Sequence, residues 1–211
     1  FWSQYIDMKQ LRAERGKYNG KDYSMVVLRK VILYPLEAGA KTIEPFKIDL
    51  DAEVPTGRRD WFGEYEMRVI EKSLSTGTQT INVKPLPENG KPESFTGAVG
   101  KFDFKVIPSK TSLKAGESLD LEVSVSGKGN LKLFTLPKPV VPSALEMYEP
   151  SHTENVQTPL TGMVGKVSDK YTIIPQFKGK YTIKPMEFSY YDLTSKSYKT
   201  ITSKEITIDV A

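Results

Sequence analysis

The stretch "IIPQFKGKYTIKP" at residues 173–185 decides the fold, because it repeats "LYPLEAGAKTIEP" at residues 33–45. At a constant offset, both prolines, the glycine and the Thr-Ile pair of the two copies coincide. Each copy leaves an alternating apolar run at a proline, turns at Gly39 or Gly179, and resumes alternation before the second proline. Glycine at such a turn permits a backbone conformation that other residues resist. Each copy therefore predicts a strand, a corner and a second strand.

Alternation with a period of two residues continues outside the repeat, for example in "SLDLEVSVSG" (118–127) and "KEITIDV" (204–210). This pattern is typical of antiparallel sheets with one buried and one solvated face. Glycines and prolines interrupt the runs at the spacing of a β-sandwich, so the predicted fold class is all-β, with tandem immunoglobulin-like modules. The segment 2–15 is compatible with a short helix or an irregular edge. Tyr181 in the second copy resembles a tyrosine corner, whereas the first copy has Lys41.

The two copies predict a division into modules. Residues 1–86 form a first immunoglobulin-like module that is incomplete at its N-terminus, because few residues precede its copy of the repeat. It carries about 13 extra residues after that copy, predicted as an inserted loop over 51–66. Residues 87–100 are rich in proline and glycine and predict a linker with an extended front and a flexible rear. Residues 101–211 form a complete second module.

Composition narrows the classes of function. Hydrophobic residues make up 38% and charged residues 27% of the 211 residues, which is a globular balance. The net charge of +4 comes from basic residues interleaved with acidic ones, so no nucleic-acid face is expected. No run approaches the ~18 apolar residues of a membrane helix, and no signal-peptide pattern opens the chain. The chain has no cysteine, which excludes disulfides and thiolate chemistry.

Candidates for catalysis and metal binding are weak. The only histidine, His152, lies among polar residues and is predicted to be an exposed loop residue without a triad. Glu149 and Glu154 beside it would supply two carboxylates to a zinc ion, but no second histidine supports such a site. The alternating carboxylates of "DLDAE" (49–53) are predicted to form a solvated strand face and not a calcium site. We therefore predict no enzyme, no catalytic residue, no metal and no cofactor.

The most informative cluster is "TGRRDWFGEY" at residues 56–65, inside the predicted insertion. Arginine and aromatic residues carry much of the binding energy at protein interfaces. The predicted partner-binding residues are Arg58, Arg59, Asp60, Trp61 and Phe62. The alternative is packing, with Trp61 and Phe62 under the loop or against a neighbouring module and the arginines paired to nearby acids. Exposure of Trp61 separates the two, because a buried indole indicates packing.

A second cluster of aromatic residues lies in "FSYYDLTSKSYKT" (188–200). Tyr190, Tyr191 and Tyr198 are placed near a sheet edge, where ordinary sheet packing is the favoured interpretation. An alternative function uses Tyr190, Tyr191 and Trp61 as flat platforms that stack on sugars. This alternative is a carbohydrate- or cell-wall-binding sandwich.

The chain resembles the BatD family of the Bat aerotolerance system. The resemblance is carried by "VKPLPENGKPESFTGAVGKF" (83–102), by "KTSLKAGESLDLEVSVSGKGNLKLFTLP" (110–137) and by "YTIIPQFKGKYTIKPMEFSYYDLTSKSYKT" (171–200). The opening "FW", "RRDWF" (58–62) and the first copy of the repeat fit the preceding module of that family. The order and spacing of these stretches over the whole chain are more specific than any one of them.

The resemblance implies a periplasmic protein of several immunoglobulin-like modules, anchored in the inner membrane by a transmembrane segment outside these residues. It implies von Willebrand A-type membrane proteins of the same system as partners, and a MoxR-type AAA+ ATPase as an indirect one. It implies a role in oxygen or stress tolerance without naming a reaction. We therefore expect a non-enzymatic scaffold for protein–protein interaction. Von Willebrand A domains often bind an acidic residue through their metal ion. Asp60 is therefore a candidate ligand for the metal of such a partner.

Overall fold

A computed structural model describes all 211 residues and shows an all-β protein without helices. The first eight strands, β1–β8, are Trp2–Ile6, Ala13–Tyr18, Lys21–Val26, Lys30–Tyr34, Gly39–Ile43, Lys47–Arg59, Tyr65–Ser75 and Gln79–Val83. Strands β9–β18 are Phe95–Pro108, Ser112–Leu113, Leu119–Gly129, Leu145–Met147, Ser151–Gln157, Val164–Pro175, Gly179–Ile183, Glu187–Asp192, Ser197–Thr202 and Ile206–Val210. The predicted fold class is confirmed. The helix considered for 2–15 is wrong, because β1 and β2 occupy most of that segment. The structure has no helix long and apolar enough to cross a membrane.

The second part of the chain is a two-layer sandwich. One sheet has the order β12-β14-β11-β9-β16-β17, with β13 also paired to β14, and the other has the order β10-β18-β15. Phe188 is completely buried between the layers, stacks on Phe104 with ring centroids 5.6 Å apart, and meets the edge of Phe102 at 6.0 Å. The alternation of β11 places Leu121 and Val123 in the same core. Burial of these side chains, each contributing about 1.5–3 kcal/mol, holds the layers together.

Equivalent residues of the repeat occupy equivalent positions in the ladders. Lys41 lies opposite Ile81 in the β5–β8 pair, and Tyr181 lies opposite Ile208 in the β15–β18 pair. Gly39 and Gly179 both have positive φ angles, of 107° and 154°, as their predicted role at the corner requires. The strand-corner-strand interpretation of the repeat is therefore confirmed.

The tyrosine corner is also confirmed, in the second copy alone. The Tyr181 hydroxyl donates a hydrogen bond to the Phe177 carbonyl oxygen over 2.9 Å. This is the bond to an upstream backbone group that defines such a corner in immunoglobulin-like sandwiches.

The strands of residues 1–86 repeat the pairing order of the later strands of the sandwich. The pairs β1–β4, β2–β3, β5–β8 and β6–β7 follow the same chain order as β12–β14, β13–β14, β15–β18 and β16–β17. No strand in this region corresponds to β9, β10 or β11. The pairing order is therefore like that of the later strands of the sandwich, and the incomplete first module stays a prediction.

The compact units of the structure divide the chain differently from the predicted modules. One unit contains Phe1 and Pro35–Leu86, and the other contains Trp2–Tyr34 and Pro87–Ala211. Within the second unit, the Tyr34 hydroxyl accepts a hydrogen bond from the backbone N–H of Met163 over 2.7 Å. The predicted first module over residues 1–86 does not coincide with either compact unit, and its boundary stays a prediction.

The predicted linker over 87–100 is wrong for its rear half. Phe95–Gly100 belong to β9, where Ala98 is fully buried and pairs in parallel with Tyr190 of β16. The front of the predicted linker also has a contact that is remote in sequence, because the Pro87 carbonyl accepts a hydrogen bond from the Tyr198 hydroxyl over 2.7 Å. Gly97 and Gly100 thus belong to a strand and do not provide a flexible rear to a linker.

Candidate partner-binding site

The predicted inserted loop 51–66 is instead most of a long β-hairpin formed by β6 and β7. The antiparallel ladder runs from the Lys47–Ser75 pair to the Pro55–Met67 pair. The register then shifts and resumes at Arg59, opposite Tyr65. The shift follows from Pro55, because proline lacks an N–H for the ladder and is tolerated at bulges. Alternating apolar and polar residues on both sides of the insertion explain why the chain forms strands here and not a loop.

The turn at the end of this hairpin is held by Asp60. One carboxylate oxygen, Oδ1, accepts hydrogen bonds from the backbone N–H groups of Phe62 and Glu64, both over 2.9 Å. The Asp60 N–H donates to the Glu64 carbonyl over 2.8 Å, and the Gly63 N–H donates to the Asp60 carbonyl over 3.1 Å. Four hydrogen bonds within five residues give the turn a defined conformation. The structure thus gives Asp60 a role in the turn, and its contact with a partner metal stays a prediction.

Arg59 makes its contacts inside the hairpin. Its Nη1 donates to the Gly63 carbonyl over 2.7 Å, and its Nη2 donates to the Tyr65 hydroxyl over 3.1 Å. The guanidinium carbon also lies 4.4 Å from the centroid of the Tyr65 ring, within the range of a cation–π interaction. Arg59 therefore braces the turn from one side. The expected pairing of this arginine with Asp60 or Glu64 is not observed.

Trp61 and Phe62 project from the braced turn into solvent. Trp61 is 96% exposed and Phe62 is 88% exposed. Neither ring packs under the hairpin, so that part of the packing alternative is wrong, and packing against a neighbouring module stays a prediction. The exposure of Trp61 is the observation that favours a partner surface.

Arg58 differs from its neighbour Arg59. Its backbone N–H donates to the Thr56 hydroxyl oxygen over 3.2 Å, but its side chain is exposed and forms no ion pair. A guanidinium group in this state retains all its donors for a partner. We name the five residues Asp60–Glu64 together with the flanking Arg58 and Arg59 the hairpin tip.

Two contributors to the tip, Gly63 and Tyr65, were not among the predicted site residues. Gly63 supplies the carbonyl oxygen that accepts a hydrogen bond from Arg59. Tyr65 supplies the hydroxyl that accepts a second one and the ring of the cation–π interaction. An Asp followed by a Gly three residues later is a turn signal that would have located the first of these. No local signal identifies Tyr65, because its role depends on the cross-strand pairing with Arg59.

The tyrosines proposed as sugar platforms do not form one. Tyr190 and Tyr191 are only 6% and 7% exposed. Tyr190 lies against Phe102 in the core with ring centroids 5.5 Å apart, and Tyr191 meets Tyr198 edge to face. Sheet packing was the favoured interpretation and is confirmed for this pair.

The single histidine lies in a strand and not in the predicted loop. His152 on β13 faces Asp169 on β14, with Nδ1 and Oδ1 2.6 Å apart. Its Nε2 lies 3.5 Å from a Glu154 carboxylate oxygen. The hydrogen bond with Asp169 is the main cause that raises the pKa of His152 above its ordinary value. The cluster has two carboxylates around a half-exposed imidazole and no hydroxyl nucleophile in contact with it.

No group of three or more His, Asp or Glu side chains in the chain is arranged to hold a metal ion. Glu149 lies apart from His152 and pairs with Lys138 over 3.4 Å. Asp49, Asp51 and Glu53 alternate along the exposed face of β6, and Asp49 accepts a hydrogen bond from the Ser73 hydroxyl. This is the solvated strand face expected for "DLDAE".

Fold and site together define an all-β protein with an immunoglobulin-like sandwich and a separate hairpin that presents exposed aromatic residues. A comparison with protein families narrows the class of protein. The model of the BatD family, described as "BatD DUF11 like domain", matches residues 106–210. These residues span nearly the whole sandwich, from the end of β9 to the end of β18. The resemblance to the BatD family is therefore confirmed, and the sandwich of this chain is a BatD family domain. No curated protein and no solved structure matches the chain.

Proposed function

We propose that this protein is a non-enzymatic interaction scaffold of the Bat aerotolerance system. In this proposal a transmembrane segment outside residues 1–211 holds it on the periplasmic side of the inner membrane. Its partners are the von Willebrand A-type membrane proteins of the same system, and a MoxR-type ATPase acts through them. The match of the sandwich to the BatD family supports the assignment to this system, and the location and the partners are what the resemblance to that family implies.

The observation that carries the proposal is the exposure of Trp61 and Phe62 on a braced turn. Two large aromatic side chains in water lose little conformational entropy on binding and bury a large area when a partner covers them. The hydrogen bonds of Asp60 and Arg59 set the backbone conformation of the turn that carries these rings before binding, which lowers the ordering cost of association. A hairpin that served only the stability of its own unit would place these rings inward.

The proposed scaffold function gives no role to His152. The half-exposed imidazole of His152 contacts the carboxylates of Asp169 and Glu154. Substitution of His152 by alanine is expected to leave association with the partner unchanged. The measurement is the amount of partner recovered with each form of the protein.

The test of the proposal is co-purification of the complete membrane protein with its von Willebrand A-type partners. The combined variant Arg58→Glu, Arg59→Glu and Trp61→Ala should lose the partners and retain its fold. The matched control is Leu193→Ala, which removes an exposed side chain, 63% accessible, from the corresponding turn after β16. Equal recovery of partners with the combined variant and with the control would remove the hairpin tip as the binding surface.

The exposed indole of Trp61 also keeps one alternative open, a carbohydrate- or cell-wall-binding sandwich. The burial of Tyr190 and Tyr191 leaves this alternative with fewer stacking surfaces. Sedimentation of the purified protein with isolated peptidoglycan separates the two proposals. Retention that depends on Trp61, without retention of the von Willebrand A-type proteins, would favour the alternative.

A further inference from the structure

The hairpin tip combines side chains that are fixed with side chains that are free. Arg59 and Asp60 make hydrogen bonds within the turn, while Trp61, Phe62 and Arg58 make no contact that holds them. We propose that Trp61 and Phe62 enter an apolar pocket of a partner protein whose rim carries a carboxylate for Arg58. Arg59 is then a positioning residue and not a contact residue. This inference rests on the proposed function and names the chemistry of the partner surface.

Arg59 is suited to positioning because it joins the two sides of the tip. Its two hydrogen bonds reach Gly63 in the turn and Tyr65 at the start of β7, and its plane lies over the Tyr65 ring. A lysine would keep the charge but supply neither two directed donors nor a planar group. The direction in which Trp61 projects therefore depends on the guanidinium geometry of Arg59, although Arg59 itself is occupied.

Charge at the tip argues for a protein pocket and against an anionic lipid surface. Arg58, Arg59 and Arg68 are balanced by Asp60, Glu64 and Glu66, so the end of the hairpin has no net charge. Attraction to anionic lipids is built from clustered lysines and arginines at about 1 kcal/mol each. The balanced tip has no such cluster, and Arg59 is already engaged.

The polar groups beside Trp61 argue against a sugar. Recognition of sugars combines stacking on an aromatic ring with hydrogen bonds from nearby side chains to hydroxyl groups. At the tip, the Asp60 oxygen Oδ1 and both terminal nitrogens of Arg59 already bond within the hairpin. Two adjacent aromatic rings with few free polar neighbours match an apolar pocket better than a row of hydroxyls.

The experiment measures the affinity of the complete protein for the purified von Willebrand A-type partner, with single substitutions in the tip. Trp61→Ala should weaken binding by about 30-fold or more, as for central aromatic residues of interfaces. Phe62→Ala should weaken it by about 5-fold or more. Leu193→Ala, the control on the other hairpin, should bind as the unchanged protein does.

The two arginines separate contact from positioning. Arg58→Gln should weaken binding and reduce its dependence on salt, while Arg58→Lys retains much of both. Arg59→Lys should weaken binding and leave the dependence on salt unchanged, because charge is kept and geometry is lost. In a background where Trp2 and any tryptophan outside residues 1–211 are replaced by phenylalanine, the fluorescence anisotropy of Trp61 should fall in Arg59→Lys before any partner is added.

The possible outcomes point to different conclusions. A complex that forms equally well with Trp61→Ala and Phe62→Ala overturns this inference and leaves the scaffold function standing. No complex with the unchanged protein overturns the proposed function itself. Binding of the unchanged protein to mixed phosphatidylethanolamine–phosphatidylglycerol vesicles, or to peptidoglycan, in place of the protein partner assigns the tip to lipid or to sugar and also overturns the inference. An Arg59→Lys protein with normal Trp61 anisotropy and normal affinity removes the positioning role.

Discussion

At the scale of single residues, one hydroxyl group ties the N-terminal strands to the sandwich. The Tyr34 hydroxyl accepts the N–H of Met163, whose own side chain is completely buried. Tyr34→Phe should destabilise the protein by about 1–3 kcal/mol, because the N–H loses its partner in a site that water reaches poorly. Urea unfolding measures the change. Tyr18→Phe, at a tyrosine that is 66% exposed, should have little effect.

The ion pair of His152 predicts a dependence of stability on pH. Asp169 raises the pKa of His152 in the folded protein above its ordinary value of 6.5, and Glu154 adds to the effect. A folded-state pKa above that of the unfolded chain means that stability is gained by protonation. The contribution is fully present below about pH 6.5 and is lost as the pH rises through the folded-state pKa.

Substitution of His152 by glutamine tests this dependence. The unchanged protein should be more stable than His152→Gln at about pH 5, and the difference should shrink towards about pH 8. Chemical unfolding at both values measures it, with constant ionic strength because His152 is half-exposed. A difference that is the same at both pH values would show that the imidazole contributes by packing alone.

At the scale of strands, glycine at residue 129 allows the backbones of β11 and β9 to approach closely at one end of the large sheet. The effect of replacing this glycine can therefore be predicted. A Cβ on Gly129 would collide with the Val99 carbonyl oxygen and with the ring of Phe102. The oxygen belongs to the backbone of β9 and cannot rotate away, so Gly129→Ala should cost about 3 kcal/mol.

Gly116 supplies the matched control for this prediction. It has a positive φ of 83°, but no atom lies within 4 Å of an added Cβ. Gly116→Ala should therefore cost only the backbone strain, about 1–2 kcal/mol. Thermal unfolding of both variants measures the difference. Equal losses would mean that strain, and not the collision with β9, sets the requirement for glycine at residue 129.

Strands were predictable where the information is local. The alternation around Gly39 and Gly179 predicted the strand-corner-strand unit in both copies, and the structure places Lys41 and Tyr181 of the two copies at equivalent ladder positions. The linker was mispredicted because the interactions that make 95–100 a strand come from β16, about 90 residues later in the chain. Glycine-rich sequence reads as flexible unless that distant partner is known.

The site was predictable in composition but not in the roles of its residues. The sequence marked Arg58, Arg59 and Trp61 as one group, because residue types alone favour interfaces. The distinction between a braced Arg59 and a free Arg58 depends on Tyr65 across the hairpin. Hairpin register decides which arginine meets that ring, and register over a proline-containing bulge is not encoded in any short pattern.

At the scale of the whole molecule, the two compact units differ in what holds them together. The unit of Pro35–Leu86 contains no fully buried residue, whereas Ile183, Ile208 and Phe188 are almost inaccessible in the sandwich. Hydrophobic burial is the main stabilising contribution to a fold. The unit of Pro35–Leu86 has the same strand-corner-strand arrangement and a longer hairpin, but it buries much less apolar surface. The free energy needed to open it is therefore lower.

Hydrogen exchange at matched amides of the repeat tests this difference. Lys41 and Tyr181 occupy the same position in two equivalent strand pairs. Lys41 lies opposite Ile81 in β5–β8, and Tyr181 lies opposite Ile208 in β15–β18. We expect the amide of Lys41 to exchange at least about 100-fold faster after correction for its own sequence, because the free energy of opening follows local burial. Equal protection of the two amides would contradict this expectation and would mean that backbone pairing alone stabilises β5–β8. Since the hairpin tip belongs to the less buried unit, binding of a partner at Trp61 should then slow exchange in that unit and leave Tyr181 unchanged.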